Sequence, residues 1–371
     1  MKIRLVVPDV NESPTERPDA CCFCGHWRLH RHGTVSKPVR DHRLEEVAVQ
    51  RYKCAGCGRT FRHYPAGVTR QDQSQRTVVL AAVLYGLGLS CSAAAAVLDA
   101  LGARIRRMSV WRDAQMAGAA LRRDRPSGSV RVLGADETVY RVRGEEVLVG
   151  FVVDDASGRT VSFDVLYGGD AATLLEWLTP YAETMGVEVL VTDGHEAYEA
   201  VASALGLDHQ LCLAHVRKAV SKQSRSIQKQ ARDAWGRGEQ LQQLTDDLET
   251  VHVLVRELPA DGAAKLWSVH ERYRDAAPPG KGETASIDYR MRLFTLRLME
   301  TWSKLCLAKE QPALNIDGTN NATERAIGKS KMRYKTMRGY KSLDGLCNGI
   351  ALTQWLYRGS GTHDLGQIIA A

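Results

Sequence analysis

At 371 residues, with 44% hydrophobic and 25% charged side chains, the chain has the length for two or three domains and an ordinary globular composition. A net charge of +7 and a pI near 8.9 admit a polyanionic partner without specifying one. Nine cysteines, an odd number with four in Cys-x-x-Cys pairs, argue against a disulfide framework and for a metal site in a reducing compartment. No secretory signal is visible at Met1-Lys-Ile-Arg, so the expected location is cytoplasmic.

Residues 1–19 read as an N-terminal arm, strand-like at first and then linker-like at Asn11-Glu-Ser-Pro-Thr-Glu-Arg-Pro. Residues 20–68 read as a zinc ribbon. Cys21/Cys24 and Cys54/Cys57 are knuckles with 29 residues between them. Four thiolates at that spacing close a tetrahedron around one structural Zn2+, and the glycine after each knuckle lets the backbone turn. Glu45 to Tyr52 alternates like a strand, and His26, His30 and His32 read as surface or phosphate-facing residues. Arg28, Arg31, Arg40, Arg43, Arg51, Lys53, Arg59 and Arg62 make the ribbon basic, as contact with a nucleic-acid backbone requires.

Residues 69–124 read as three helices: Ser74 to Tyr85, Ala93 to Leu101, and a third capped by Ser109. The arrangement resembles a helix-turn-helix whose third helix offers Trp111, Arg112 and Gln115 to a major groove, with Arg106 and Arg107 as further DNA contacts. An ordinary helical bundle is the alternative. Thr77 to Leu98 is uncharged and long enough to cross a bilayer. Its Gly/Ser cluster and alanine-rich second half nonetheless read as a turn between short helices, and no membrane partner is expected.

Asp124 to Ser129 is a linker. Residues 130–218 then give three strands (Val130 to Arg143, Glu146 to Asp154, Thr160 to Tyr167) and a helix, Thr173 to Met185, with Pro180 inside it. The strand Val187 to Val191 runs into Thr192-Asp193-Gly194, followed by a helix to Leu205 and a strand from Leu207 to Leu213. This βββαβαβ order is that of the ribonuclease-H fold. Residues 219–312 read as an all-helical insertion, with helices Ala219 to Gly236, Glu239 to Leu258, Gly262 to Arg274 and Asp288 to Leu307. Trp235, Trp267 and Trp302 read as its core. Residues 313–358 complete the core with a Thr319-capped helix carrying Glu324, Gly328 and Lys331, then an apolar helix from Leu346 to Tyr357; 359–371 is a tail. The fold class is thus an α/β core with a mixed sheet and flanking helices, interrupted by an all-α insertion and preceded by the ribbon and helix-turn-helix.

Such a core would gather Asp136, in the middle of its first strand, Asp193, at the end of its fourth, and Glu324, on a late helix. Clustered carboxylates repel unless a cation compensates, and two Mg2+ ions would both compensate and activate phosphoryl transfer. Glu137, Asp154 and Asp155 read as bystanders.

The segments Gly134-Ala-Asp136-Glu-Thr, Val191-Thr-Asp193-Gly-His-Glu-Ala-Tyr, Cys212-Leu-Ala-His215 and Thr319-Asn-Asn-Ala-Thr-Glu324-Arg resemble a bacterial insertion-sequence transposase of the DDE class. The resemblance spans about residues 130–358, and the ribbon and helix-turn-helix resemble the DNA-binding front end of such enzymes. It implies that Asp136, Asp193 and Glu324 are catalytic ligands of two Mg2+, with Mn2+ able to substitute. It makes Cys212 and His215 active-site-proximal, either orienting the scissile phosphate or locking the strand-to-helix corner. Lys331, seven residues after Glu324 on the same helical face, would hold the transposon end, with Lys329 as a neighbouring DNA contact. An arginine that some relatives carry four residues before the glutamate is Asn320 here, which the resemblance still places close to the active site. Hairpin-forming relatives stack a tryptophan on a flipped base, an alternative role for the insertion tryptophans.

The implied activity is metal-dependent cleavage at transposon ends and joining of the freed 3′-hydroxyl to target DNA. The implied partners are duplex DNA (terminal inverted repeats and target) and further copies of the chain, as a dimer or larger assembly near the nucleoid. Two rivals are a domesticated transposase or zinc-ribbon regulator that binds without cutting, and a nuclease of the same fold acting on RNA:DNA hybrids.

Overall fold

The computed structural model describes residues 3–123, 128–337, 339–357 and 361–370. Most of the linker expected at Asp124 to Ser129 lies outside them. The ribbon region follows β1 (Ile3–Val6) and comprises β2 (Leu29–Pro38), β3 (Glu46–Cys54) and β4 (Thr60–His63), an antiparallel sheet in the order β2-β3-β4. Then come α1 (Gln75–Gly86), α2 (Cys91–Ala100) and α3 (Arg107–Arg123). Ser74 and Ser90 cap α1 and α2, accepting from the amides of Thr77 and Ala93. Ser109 does not cap α3: the Arg106 carbonyl already accepts the amides of Ser109 (2.9 Å) and Val110 (3.3 Å), so the helix begins earlier than its sequence suggests.

Next come β5 (Val132–Val142), β6 (Glu145–Asp154), β7 (Arg159–Leu166), α4 (Ala171–Met185), β8 (Val189–Thr192), α5 (Glu196–Ala204) and β9 (Asp208–Leu211). They form a five-stranded sheet in the order β7-β6-β5-β8-β9; β6 and β7 are antiparallel, while β5, β8 and β9 run parallel. Pro180 stays within α4, which ends at Gly186 in the left-handed conformation at φ 69°. Alternation along the strands sorts the core into two layers. Leu133, Ala135 and Leu190 pack with Leu174, Trp177, Leu178, Tyr198 and Val201 of α4 and α5. On the other face Val132, Val189 and Val191 meet Leu307, Leu314 and Ile316.

Four helices follow: α6 (Leu213–Trp235), α7 (Glu239–Glu257), α8 (Gly262–Glu271) and α9 (Ile287–Glu310). They share a core that includes Val220, Ile227, Leu248, Val251, Leu266 and Trp302. The first of them starts at Leu213, not near Ala219. Cys212 N still makes the last sheet bond, to Thr192 O, but Leu213 N turns away to Gly318 O, so the strand ends and the helix begins at that corner. The chain closes with α10 (Asn321–Thr336), α11 (Leu343–Leu356), β10 (Gly361–Asp364) and α12 (Leu365–Ala370), with β10 parallel to β1. Asn320, rather than Thr319, takes the capping position of α10, its carbonyl accepting from Glu324 N at 3.0 Å. Among the described residues no helix is long and apolar enough to cross a membrane.

Two compact units result: Met1–Pro126 with Val139–Val147 and Ala326–Ala371, and Ser127–Thr138 with Leu148–Arg325. The first differs from the domain division drawn from the sequence, which placed 313–358 together. The helix α11 packs instead on α1 and α3 through small-residue contacts. A Cβ on Gly118 would lie 2.4 Å from Asn348 O, and one on Gly86 would lie 2.3 Å from Leu356 Cδ1. In the same unit, buried Asp41 holds Arg76 through two hydrogen bonds of 3.0 and 2.7 Å and accepts a third from Ser74 at 2.5 Å, tying the ribbon side to the start of α1.

Candidate active site

In the second unit Asp193 and Glu324 lie within electrostatic reach of Asp136, at the carboxyl end of the parallel strands. Asp136 lies half-buried on β5, where the burial pattern changes from fully buried to intermediate. Asp193 follows the last residue of β8 and accepts the His195 amide at 3.0 Å, which fixes it at the turn into α5. Glu324 sits in the first turn of α10 and is roughly half exposed. Burial pushes the Asp136 carboxyl up to about 7, and the negative charges of Asp193, Glu137 and Glu324 push in the same direction. A carboxyl whose proton is held more tightly by the carboxylates around it sits in a site short of positive charge, and oxygen donors of this kind suit Mg2+.

A polar latch at Asn320 holds α10 against β5 and against the corner between β9 and α6. The Asn320 amide donates to Cys212 Sγ at 3.2 Å, and its side-chain nitrogen donates to the Ala135 carbonyl at 3.3 Å, one residue from Asp136. Gly134 permits this approach, since a Cβ there would lie 2.4 Å from Thr323 Oγ1. His215 Nδ1 is 3.6 Å from Glu324 Oε1, and the ligand atoms of Cys212, His215 and Glu324 all lie within 4.8 Å of one another. On the far side of Asp136, the fully buried Tyr198 phenol donates to Glu137 Oε2, joining β5 to α5. His209 is buried, bonded to Thr192 Oγ1 at 2.9 Å; burial lowers its imidazole to about 4, so it is neutral.

A family model, the transposase IS66 family, matches residues 128–347. The chain belongs to that family. No curated protein matches it. Among solved structures, the catalytic core domain of BIV integrase in crystal form I is 12% identical, covering 46% of this chain and 84% of that one at a TM-score of 0.20. The HTLV-2 integrase catalytic core domain in complex with magnesium (trimeric form) is 14% identical, covering 33% and 85% at a TM-score of 0.21.

The matched segment of this IS66 transposase contains Asp136, Asp193, Cys212, His215, Asn320, Glu324, Lys329 and Lys331; the ribbon and α1 to α3 lie outside it. In the ribbon, Cys21, Cys24, Cys54 and Cys57 have sulfurs within 4.8 Å of one another. The Cys21–Cys57 and Cys24–Cys54 separations, 3.8 and 3.6 Å, fit the edge of about 3.8 Å that four Zn–S bonds of about 2.3 Å give a tetrahedron. The Cys57 and Gly56 amides point at Cys54 Sγ and draw its thiol down to about 7. These four residues fit a structural zinc.

The DNA-facing assignments of the sequence fare unevenly. Arg106, Arg107 and Arg112 are exposed on and beside α3. Trp111 instead packs edge-on against Tyr85 at 6.0 Å, and Gln115 accepts from Asn348 of α11 at 3.0 Å, so both face the helical core. Lys331 donates to the Val139 carbonyl and lies 4.5 Å from the Tyr140 ring centre; burial lowers its pKa. Lys329 donates to Tyr357 O at 3.1 Å. Of the insertion tryptophans, Trp302 is buried and Trp235 packs against the core, whereas Trp267 is half exposed beside His270. Sequence reasoning missed Tyr198, Glu137 and the latching role of Asn320. The tyrosine of the Gly-His-Glu-Ala-Tyr run was in plain view, but nothing in its spacing names Glu137 as its partner.

Proposed function

We propose that this chain is a DDE-type DNA transposase that cleaves DNA at transposon ends and joins the freed 3′-hydroxyl to target DNA. The observation that supports it most is the Asp136 carboxyl, held near 7 by burial and by Asp193 and Glu324 around it. A sheet in the order β7-β6-β5-β8-β9 with acids at its parallel end suits a ribonuclease-H-like core. Asp136, Asp193 and Glu324 would hold two Mg2+, with Mn2+ an acceptable replacement; bound there, the metals would supply an activated nucleophile and neutralise the leaving oxygen. The chain's own groups position these acids. Asn320 holds α10 to β5 through Ala135 and to the corner between β9 and α6 through Cys212, the Tyr198–Glu137 bond holds α5 to β5, and His215 stands beside Glu324 to orient it or the phosphate.

The exposed Arg106, Arg107 and Arg112 are the residues of α3 best placed for DNA phosphates, in a helix-turn-helix that follows a zinc ribbon. Lys329 and Lys331 would serve DNA by exchanging their present carbonyl partners for phosphate. The enzyme would act in the cytoplasm at the nucleoid on duplex DNA, as a dimer or larger assembly, because two ends are handled together. The rival, a transposase-derived regulator that only binds, has no use for three convergent acids.

The test is Asp193→Asn in the full chain. Asparagine keeps the size and removes the charge, so folding and DNA binding persist while Mg2+-dependent cleavage and strand transfer of a cognate end fall by about a thousandfold or more. Near-normal cleavage by Asp193→Asn, Asp136→Asn and Glu324→Gln would return the binding-protein reading to first place.

A further inference from the structure

The helix α6 leaves the candidate active site at Cys212 and carries basic residues whose spacing is not random. Lys218, Lys222, Arg225, Lys229 and Arg232 follow one another at intervals of four, three, four and three residues, and His215 continues the series toward the site. At 100° per residue these six lie within an arc of roughly 100°. All six are exposed. The buried residues of the same helix, Val220, Ser224, Ile227 and Ala231, centre on the opposite side. The inner face thus holds the insertion core and the outer face presents one line of positive charge.

None of the five cations forms an ion pair among the described residues, although the exposed Asp233 lies at the edge of the same face, next to Arg232. Arg225 Nε donates to Ser221 O on the same helix, at 3.1 Å. Their off-line neighbour Arg217 behaves differently, donating to Arg256 O at 3.0 Å and to Val255 O at the end of α7. The line begins where His215 meets Glu324 at 3.6 Å. From His215 to Arg232 it runs about 26 Å at 1.5 Å per residue, a length that spans about eight base pairs of duplex.

We propose that the outer face of α6 is a phosphate track: Lys218, Lys222, Arg225, Lys229 and Arg232 bind the backbone of duplex DNA and lead it to the acids at Glu324. This rests on the transposase reading for the identity of the polyanion. Regularly spaced charge without an ion pair along one helix face suits a regular polyanion, and phosphate binding carries no base information. The track therefore accepts any sequence that enters the site.

The experiment measures binding of a fluorescein-labelled, random-sequence duplex to the full chain across a KCl series, in the Asp193→Asn background so that no DNA is cut. The track variant is K218A/K222A/R225A/K229A; alanine favours helix, so circular dichroism and Tm should match the parent. The control variant is R256A/K265A/R274A/K281A, four exposed cations elsewhere in the insertion. Every phosphate that is no longer neutralised reduces the slope of log K against log salt by about 0.9, so the slope of the track variant falls by roughly three to four units and that of the control by less than about one. An unchanged slope in a folded track variant, or equal reductions in both variants, overturns the track. Failure of the catalytic reading would appear separately, as cleavage retained by Asp193→Asn with the track intact.

Discussion

The buried phenol of Tyr198 donates to Glu137, and this bond ties the strand that bears Asp136 to the helix that follows Asp193. Two acids from different strands thereby keep a fixed separation, although neither bonds the other. Burial and the Glu137 charge raise the Tyr198 pKa far above its usual value, so the phenol remains a donor at any ordinary pH.

Removing that donor should loosen the site without emptying it. Tyr198→Phe keeps the ring in its core and leaves Glu137 short of one partner. The expected cost is about 1–3 kcal/mol in urea unfolding, with cleavage reduced at least tenfold and the KM for DNA unchanged. Full activity in Tyr198→Phe would show that the two strands hold their spacing without the bond.

Asn320 donates two hydrogen bonds from a site that is 1% exposed, one from its backbone and one from its side chain. Asn320→Ala removes only the second and should destabilise the protein by about 1–3 kcal/mol. If the latch sets the place of Glu324, Asn320→Ala should also lower cleavage more than it lowers DNA binding. Equal reductions in both would make it a folding residue alone.

Asp41 gives a pH prediction in the first unit. Burial alone would raise its carboxyl, but hydrogen bonds from Arg76 and Ser74 win and hold it at about 2. A carboxylate depressed on folding contributes stability that is fully present above its unfolded pKa of about 4. That contribution is lost as pH falls from about 4 through 2. Asp41→Asn strands a buried arginine and should cost about 3–5 kcal/mol at neutral pH. The variant's acid unfolding curve should be flatter between pH 4 and pH 2 than the parent's. A parallel shift of both curves would contradict the assignment.

The ribbon should carry one zinc per chain by elemental analysis of purified protein. Cys54→Ser should lower that content and loosen β2 to β4, seen as faster amide exchange there. A protein that contains no zinc yet shows the ribbon protected would remove the metal from the account.

Much of this architecture was legible in the sequence because its signals are local. The paired cysteines and the strand ending at Asp193 each sit within a few residues of their cause. Trp111 and Gln115 were misdirected because an amphipathic helix announces a buried face without saying what covers it; Trp111 meets Tyr85 of α1, and Gln115 meets Asn348 of α11, 233 residues on. Glu137 was set aside for the same reason, its partner being 61 residues on. The regular cations of α6 were visible throughout, but only the buried residues opposite them show that the line faces outward.

Gly134 and Thr323 are separated by most of the chain's length, yet they compete for a single methyl-sized volume. Their codons are therefore epistatic. Alanine at 134 is tolerable only where 323 has become smaller, and the double change should rescue what the single one destroys. A drifting copy of the gene that acquires the first substitution alone would lose the fit between β5 and α10 while every acid at the site still reads as intact, so inspection of the acids alone would count a dead copy as a live one.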